Sequence, residues 1–266
     1  MSYLKRISNA TNLKYLAIAL MFLDHIHEMF IEMGAPIWLT MLGRLVFPIF
    51  LFLAADSFHY THDRKAYMKR LLFMSWFMTT GNMIVGSLFK NGDVGLMNNA
   101  FSTFFMTGIY ICSWDLFVKG LHEKSMREIL KAVGLFVLPI LLMIPTLLLS
   151  SLLTNPTFPP VIIRLIAWVT LLIPNVLLIE GGFLLVVLGL LFYIFRQNRI
   201  LQIVSLAVIS LAFYLMNPAD IQWMMVFSAI PIYLYNGEKG QGHKNFFYIF
   251  YPLHIYALYI LASLLR

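Results

Sequence analysis

Charge is scarce: Asp, Glu, Lys and Arg together make up only 12% of the 266 residues. That excludes the solvated surface of a water-soluble globular protein. There is one cysteine, Cys112, in an apolar run, so no intramolecular disulfide can form. No cleavable signal pattern is present; the first apolar run begins near Leu13, is longer than a signal-peptide core, and is not followed by a small-residue cleavage site. No run alternates as a barrel strand does, no internal repeat stands out, and no loop is long enough for a soluble domain. The net charge of +7 is not read as a nucleic-acid patch, because the Lys and Arg residues sit in short loops where they set membrane topology.

What is there instead is 61% hydrophobic residues, enough for a polytopic, all-α transmembrane bundle formed by residues 1–266 as one membrane domain. Stretches of the length that crosses a bilayer fall at roughly 13–32, 37–59, 67–89, 96–118, 131–153, 176–195, 200–216, 221–235 and 246–265. The segment "PPVIIRLIAWVTLLIPN" is bounded by prolines and interrupted by Arg164, and is either a tenth span or a re-entrant or interfacial helix. Lys5, Arg6 and Lys14 put the N-terminus in the cytoplasm; "HDRKAYMKR" and "KGLHEKSMREILK" then also fall inside. If the ambiguous segment does not cross, "RQNR" and "NGEKGQGHK" join them. Nine crossings is the preferred count and ten the alternative.

Polar residues inside such spans are costly and mark function or helix contacts. "MFLDHIHEMF" carries Asp24, His25, His27 and Glu28, and the four-residue spacing of Asp24, Glu28 and Glu32, with His25 three before Glu28, makes one polar stripe. His25 and Arg44 lie at similar depth on neighbouring antiparallel spans. Ser75, Thr79 and Asn82 form a second polar face, and Asn98, Asn99, Ser102 and Thr103 a third. Taken singly, Asn82, Asn99 or His254 serves equally well as interhelical glue; several ionisable groups at one depth are harder to explain by packing. His27 points away from His25, so the pair cannot chelate one ion, and no metal is expected. Asp56, His59 and Asp63 are expected to be an interfacial polar cap, and the Gly-rich "NGEKGQG" a flexible turn.

These segments resemble the TraX family of integral membrane proteins, typified by the F-pilin acetylase. The resemblance rests on "LKYLAIALMFLDHIH", "GRLVFPIFLFLAADSFHYTHDRKAYMKRL" and "YNGEKGQGHKNFFYIFYPLHIYALYIL", and more weakly on "NNAFSTF" and "IEGG". The sequence departs from the family at His27, where Gly is usual, and at "AADSF", where Asp56 replaces an expected Glu. The resemblance implies a bacterial inner-membrane acyltransferase that moves an acetyl group from cytosolic acetyl-CoA to an amine or hydroxyl of a membrane or secreted peptide, or of an envelope glycan. Such transfer needs a base and a group to stabilise the developing oxyanion. His25 is the natural base, with Asp24 and Arg44 completing the catalytic set. Glu28, Asn82, Asn98, Asn99 and His254 are the candidate acceptor or oxyanion contacts. Asp56, Arg64, Lys65, Lys69, Arg70, Lys239 and Lys244 are assigned to the entry of polyanionic CoA. Two other classes compete: a proton-coupled transporter or flippase, which would normally show repeats, and a non-catalytic assembly protein of a conjugation or secretion system.

Overall fold

The structure is a computed structural model describing residues 8–92, 94–153, 159–241 and 244–266; the side chains of residues 150–153, 160, 244 and 245 are not described. Every regular element among the described residues is helical. Six helical stretches are long and apolar enough to cross a membrane: Trp38–Tyr60, Arg64–Leu88, Ala100–His122, Met126–Leu149, Arg199–Met216 and Phe246–Leu264. Large apolar side chains cover their outer faces. Phe73, Phe77, Ile84 and Leu88 stand out from one helix, and Leu130, Val133, Leu141 and Leu148 from another stretch. In water this would be an aggregating surface; acyl chains are its natural solvent. The chain is a multi-pass membrane protein.

The helices group into two compact units. The first draws on the chain up to Tyr60, on Asn82–Leu96 and on Leu191 onward. It opens with α1 (Ala10–Phe30), whose first turn is capped by Asn9 accepting from the Asn12 amide at 3.0 Å. At 21 residues α1 is about 31 Å long, sufficient to span, although it carries Lys14, Asp24 and Glu28. A short 3₁₀ turn and Gly34, at φ +86°, reverse the chain into α2 (Trp38–Gly43) and α3 (Val46–Tyr60). The expected second span is thus broken at Arg44 and Leu45. Pro48 explains the break, since it has no N–H to offer the Arg44 carbonyl four residues earlier.

The same unit contains α10 (Arg199–Met216), the 3₁₀ segment Ile221–Ser228 running into α11 (Ala229–Leu234), and α12 (Lys244–Leu264). α1 and α12 lie side by side and parallel. Tyr15 packs on Phe246 and Phe247 at ring separations of 6.1 and 5.7 Å, and further along His25 meets His254 at 4.9 Å. At one end of this pair, the chain from 236 to 241 is clasped to the start of α1. The Asn236 amide donates to the Ser8 carbonyl (3.0 Å), the Ala10 amide to Glu238 (2.8 Å), and the Thr11 hydroxyl to Lys239 and Gln241. The loop expected to be a flexible turn is therefore pinned. Gly240, at φ +70°, sits where a Cβ would strike Asn9 and Thr11. At the opposite end, Asn91 donates to the Met29 carbonyl (2.8 Å), Ser263 to Lys90 (2.8 Å), and Arg266 pairs with Glu32 (2.5 Å).

The second unit comprises Thr61–Gly81 and Met97–Leu190. Helix α4 (Arg64–Leu88) begins in it and ends in the first unit. α5 (Ala100–His122), α6 (Met126–Leu141), α7 (Ile144–Leu153) and α8 (Pro160–Leu171) belong to it, and α9 (Phe183–Ile194) begins in it. The expected span over 131–153 is interrupted after Leu141, where Pro145 leaves a carbonyl without its helical donor. The proline-bounded segment forms α8, only 12 residues long. α9 starts at Phe183 rather than near 176, because the preceding residues are turns ending in Gly181 and Gly182, both at positive φ.

Candidate functional site

His25 and His254 form the most buried titratable contact of the first unit. They are 4% and 5% exposed, and His25 Nδ1 lies 2.8 Å from His254 Nε2. The other nitrogen of each ring has its own neighbour. His254 Nδ1 is 2.7 Å from the Phe250 carbonyl one turn back, and His25 Nε2 is 3.7 Å from Glu28 Oε2. The Phe250 ring stacks on His254 with 4.6 Å between centroids and 14° between planes, and Tyr251 meets His25 edge-on at 6.5 Å. Sequence placed both histidines in spans but did not pair them, as they are 229 residues apart.

Asp24 faces a different helix. Turned about 100° from His25 on α1, it accepts from Arg44 Nη2 at 3.0 and 3.1 Å and from the Thr40 hydroxyl at 2.6 Å. Arg44 also donates to the Thr40 carbonyl (3.2 Å) and to Gln222 Oε1 (3.0 Å). With 28% of the Arg44 side chain and 18% of Asp24 exposed, this is a half-buried ion pair with most of its polar atoms satisfied. Gly43 makes the approach possible, since a Cβ there would overlap Asp24. Arg44, expected level with His25, is bonded to Asp24, the residue next to His25 on α1. Gln222, held on the 3₁₀ segment that Asp220 caps (2.9 Å), had no sequence signal.

A second polar group of this unit surrounds Asp56. Its carboxylate accepts from the Tyr235 hydroxyl at 3.2 Å. Arg199 lies over the Phe52 and Tyr235 rings at 4.4 and 5.2 Å. Lys14 lies 5.4 Å over Phe247, and its charge and that of Arg199 are felt at Asp56. Lys239 is exposed in the clasped loop; Lys244 lies among the side chains not described. Asn82 is buried in this unit. Among the described residues no group of three or more His, Cys, Asp or Glu side chains is arranged to hold a metal.

The remaining candidates belong to the second unit. Asn98 and Asn99 are both buried. Asn99 is the N-cap of α5, accepting from the Ser102 amide (3.3 Å), while its side-chain NH₂ donates to the Ser75 carbonyl and hydroxyl and to the Thr79 hydroxyl, each at 3.1 Å. Glu180, from the weak "IEGG" segment, accepts from the Asn99 amide at 2.5 Å, where a carboxylate complements the helix N-terminus. These bonds tie α4, α5 and the turn before α9. Arg64 is bound to Asp115 at 2.6 Å, whereas Lys65, Lys69 and Arg70 are exposed.

No curated protein and no solved structure matches the chain. The family model described as TraX protein matches residues 9–262, from the cap of α1 almost to the end of α12. The match covers both polar groups of the first unit and nearly the whole sequence, and the chain therefore belongs to the TraX family.

Proposed function

We propose that this protein is a membrane-embedded acetyltransferase that moves an acetyl group from acetyl-CoA to an amine or hydroxyl of a membrane or secreted peptide or an envelope glycan. The observation that carries the reading is the buried His25–His254 contact, with Glu28 beside the second nitrogen of His25. A base is required to remove the acceptor's proton as it attacks the thioester, and histidine suits that task near neutral pH. His25 is the base. Asp24 and Arg44 brace α1 against α2, and Arg44 adds a fixed positive charge near His25. Exposed Lys65, Lys69, Arg70 and Lys239 give a polyanionic donor basic surfaces to meet.

The topology proposed with it has nine crossings: the six long spans, α1, α9, and the Ile221–Leu234 stretch, with α8 not crossing. The parallel packing of α1 and α12 supports this count, since two helices running the same way require an odd total from first to last. It puts the clasped loop with the N-terminus in the cytoplasm and Arg266 outside. In a Cys112→Ser background, Lys239→Cys should resist an impermeant maleimide while a cysteine appended after Arg266 reacts; the same accessibility at both would reject nine crossings.

The chemistry is tested with purified protein and radiolabelled acetyl-CoA, scored by mass spectrometry for a gain of about 42 Da, the mass of one acetyl group replacing one proton, on envelope peptides and glycans. A deletion strain that loses no acetylated species, together with purified protein that neither binds nor consumes acetyl-CoA, would reject an acetyltransferase.

A further inference from the structure

We infer that His254 is a positioning residue that fixes His25 in one tautomer, with the proton on Nδ1 and the basic lone pair on Nε2. The inference rests on the proposed role of His25 as base and adds what sets its direction. The Phe250 carbonyl can only accept a hydrogen bond. His254 Nδ1, 2.7 Å away, must therefore carry hydrogen. With both imidazoles uncharged, His254 Nε2 is then an acceptor, and the 2.8 Å contact requires His25 Nδ1 to be the donor. The lone pair of His25 is left on Nε2, the nitrogen near Glu28.

Packing holds the chain of bonds in register. The Phe250 ring stacked on His254 limits rotation of that imidazole, and both histidine rings are buried. The arrangement has the logic of a histidine oriented by a hydrogen bond to its second nitrogen, with an imidazole as the orienting group.

The acceptor's N–H or O–H proton passes to His25 Nε2 as the acceptor atom bonds to the acetyl carbonyl carbon. The carbon–sulfur bond breaks, and the CoA thiolate leaves with its electron pair and takes the proton from Nε2. His25 Nδ1–H stays bonded to His254 throughout, and the transient imidazolium has Glu28 beside its Nε2.

The test uses full-length protein in detergent with ¹⁵N-labelled histidine. The Gln side-chain carbonyl can occupy the place of His Nε2 and accept from His25, whereas Asn is one methylene too short. His254→Gln should retain the Nδ1–H tautomer of His25 and kcat within about 10-fold of the parent. His254→Leu and His254→Asn should lose that tautomer and lower kcat by about 10- to 100-fold, the usual cost of losing an orienting partner, with KM for acetyl-CoA little changed. If His254→Leu destabilises the fold, the Gln and Asn variants still differ only in reach. An unchanged tautomer and kcat in His254→Asn would overturn the inference, as would a His254→Gln protein as impaired as His254→Leu. If wild-type protein transfers no acetyl group yet the tautomer shifts as described, the acetyl reading fails while the positioning of His25 is supported.

Discussion

Two polar clusters, each built on buried side chains, sit in the two units, and they differ in how their hydrogen bonds are assigned. In the second unit, Asn99 is 9% exposed and does structural work with its side chain and amide alike: it caps α5, bonds two α4 residues, and is itself bonded by Glu180. In the first unit, His25 is 4% exposed and is directed at a second imidazole by one nitrogen and toward a carboxylate 3.7 Å away by the other. Burial alone therefore does not separate function from architecture. Capping geometry and bonds that stitch helices together account for Asn99 completely. Nothing in helix packing calls for two imidazoles and a carboxylate in series.

The largest expected effect breaks this comparison at His25. His25→Ala should lower acetyl transfer per folded molecule by about 10²- to 10⁴-fold, beyond the stability cost of about 1–3 kcal/mol expected from leaving the buried His254 nitrogen without its partner; a fully active variant would make the histidine contact as architectural as the asparagine one. Arg44→Met comes next and acts on stability. Leaving this half-buried Asp24 without its cation should cost about 1–3 kcal/mol, and adding Asp24→Asn should recover part of the loss, which a double-mutant cycle by thermal unfolding would detect.

Asn99→Ala is the converse of the histidine variant. Removing a cap and leaving buried groups without partners should cost about 1–3 kcal/mol, yet activity per folded molecule should hold. A selective loss of activity with normal stability would move Asn99 into the chemistry. Smaller still is Lys65→Glu with Lys69→Glu, which leaves the Arg64–Asp115 pair in place. It should raise KM for acetyl-CoA more than it lowers kcat, by an amount that shrinks as salt rises. Glu28→Gln should have the least effect on rate, since Glu28 is 37% exposed and stands 3.7 Å from His25.

The helical class and the first two polar helices were legible in the sequence, because an acid–histidine stripe in an oily run and an arginine a short turn away leave few alternatives. The partners were less so. Sequence set Arg44 level with His25; the 100° between Asp24 and His25 gives Arg44 to Asp24 and leaves His25 for α12. His254 was visible as a polar residue in a span, but no local rule joins residues 229 positions apart. Span boundaries suffered where prolines act at a distance of one turn. Pro48 breaks the helix at Arg44, and Pro145 separates α6 from α7, inside what composition alone reads as continuous runs. The role of Glu180 was missed because a cap supplied by a distant turn leaves no mark beside the helix it caps.

The parallel pairing of α1 with α12 has a consequence for biogenesis. His25 emerges from the ribosome 229 residues ahead of His254. A nascent chain that has not reached α12 therefore carries His25 without its partner, and the clasp of residues 236–241 on the start of α1 can close only after that loop has been made. Until then Asp24 can already pair with Arg44, but His25 must wait in the membrane without its partner, a state that insertion machinery or neighbouring helices have to shelter. The site comes together only once α12 has been made, so a product terminated before that helix would lack it altogether.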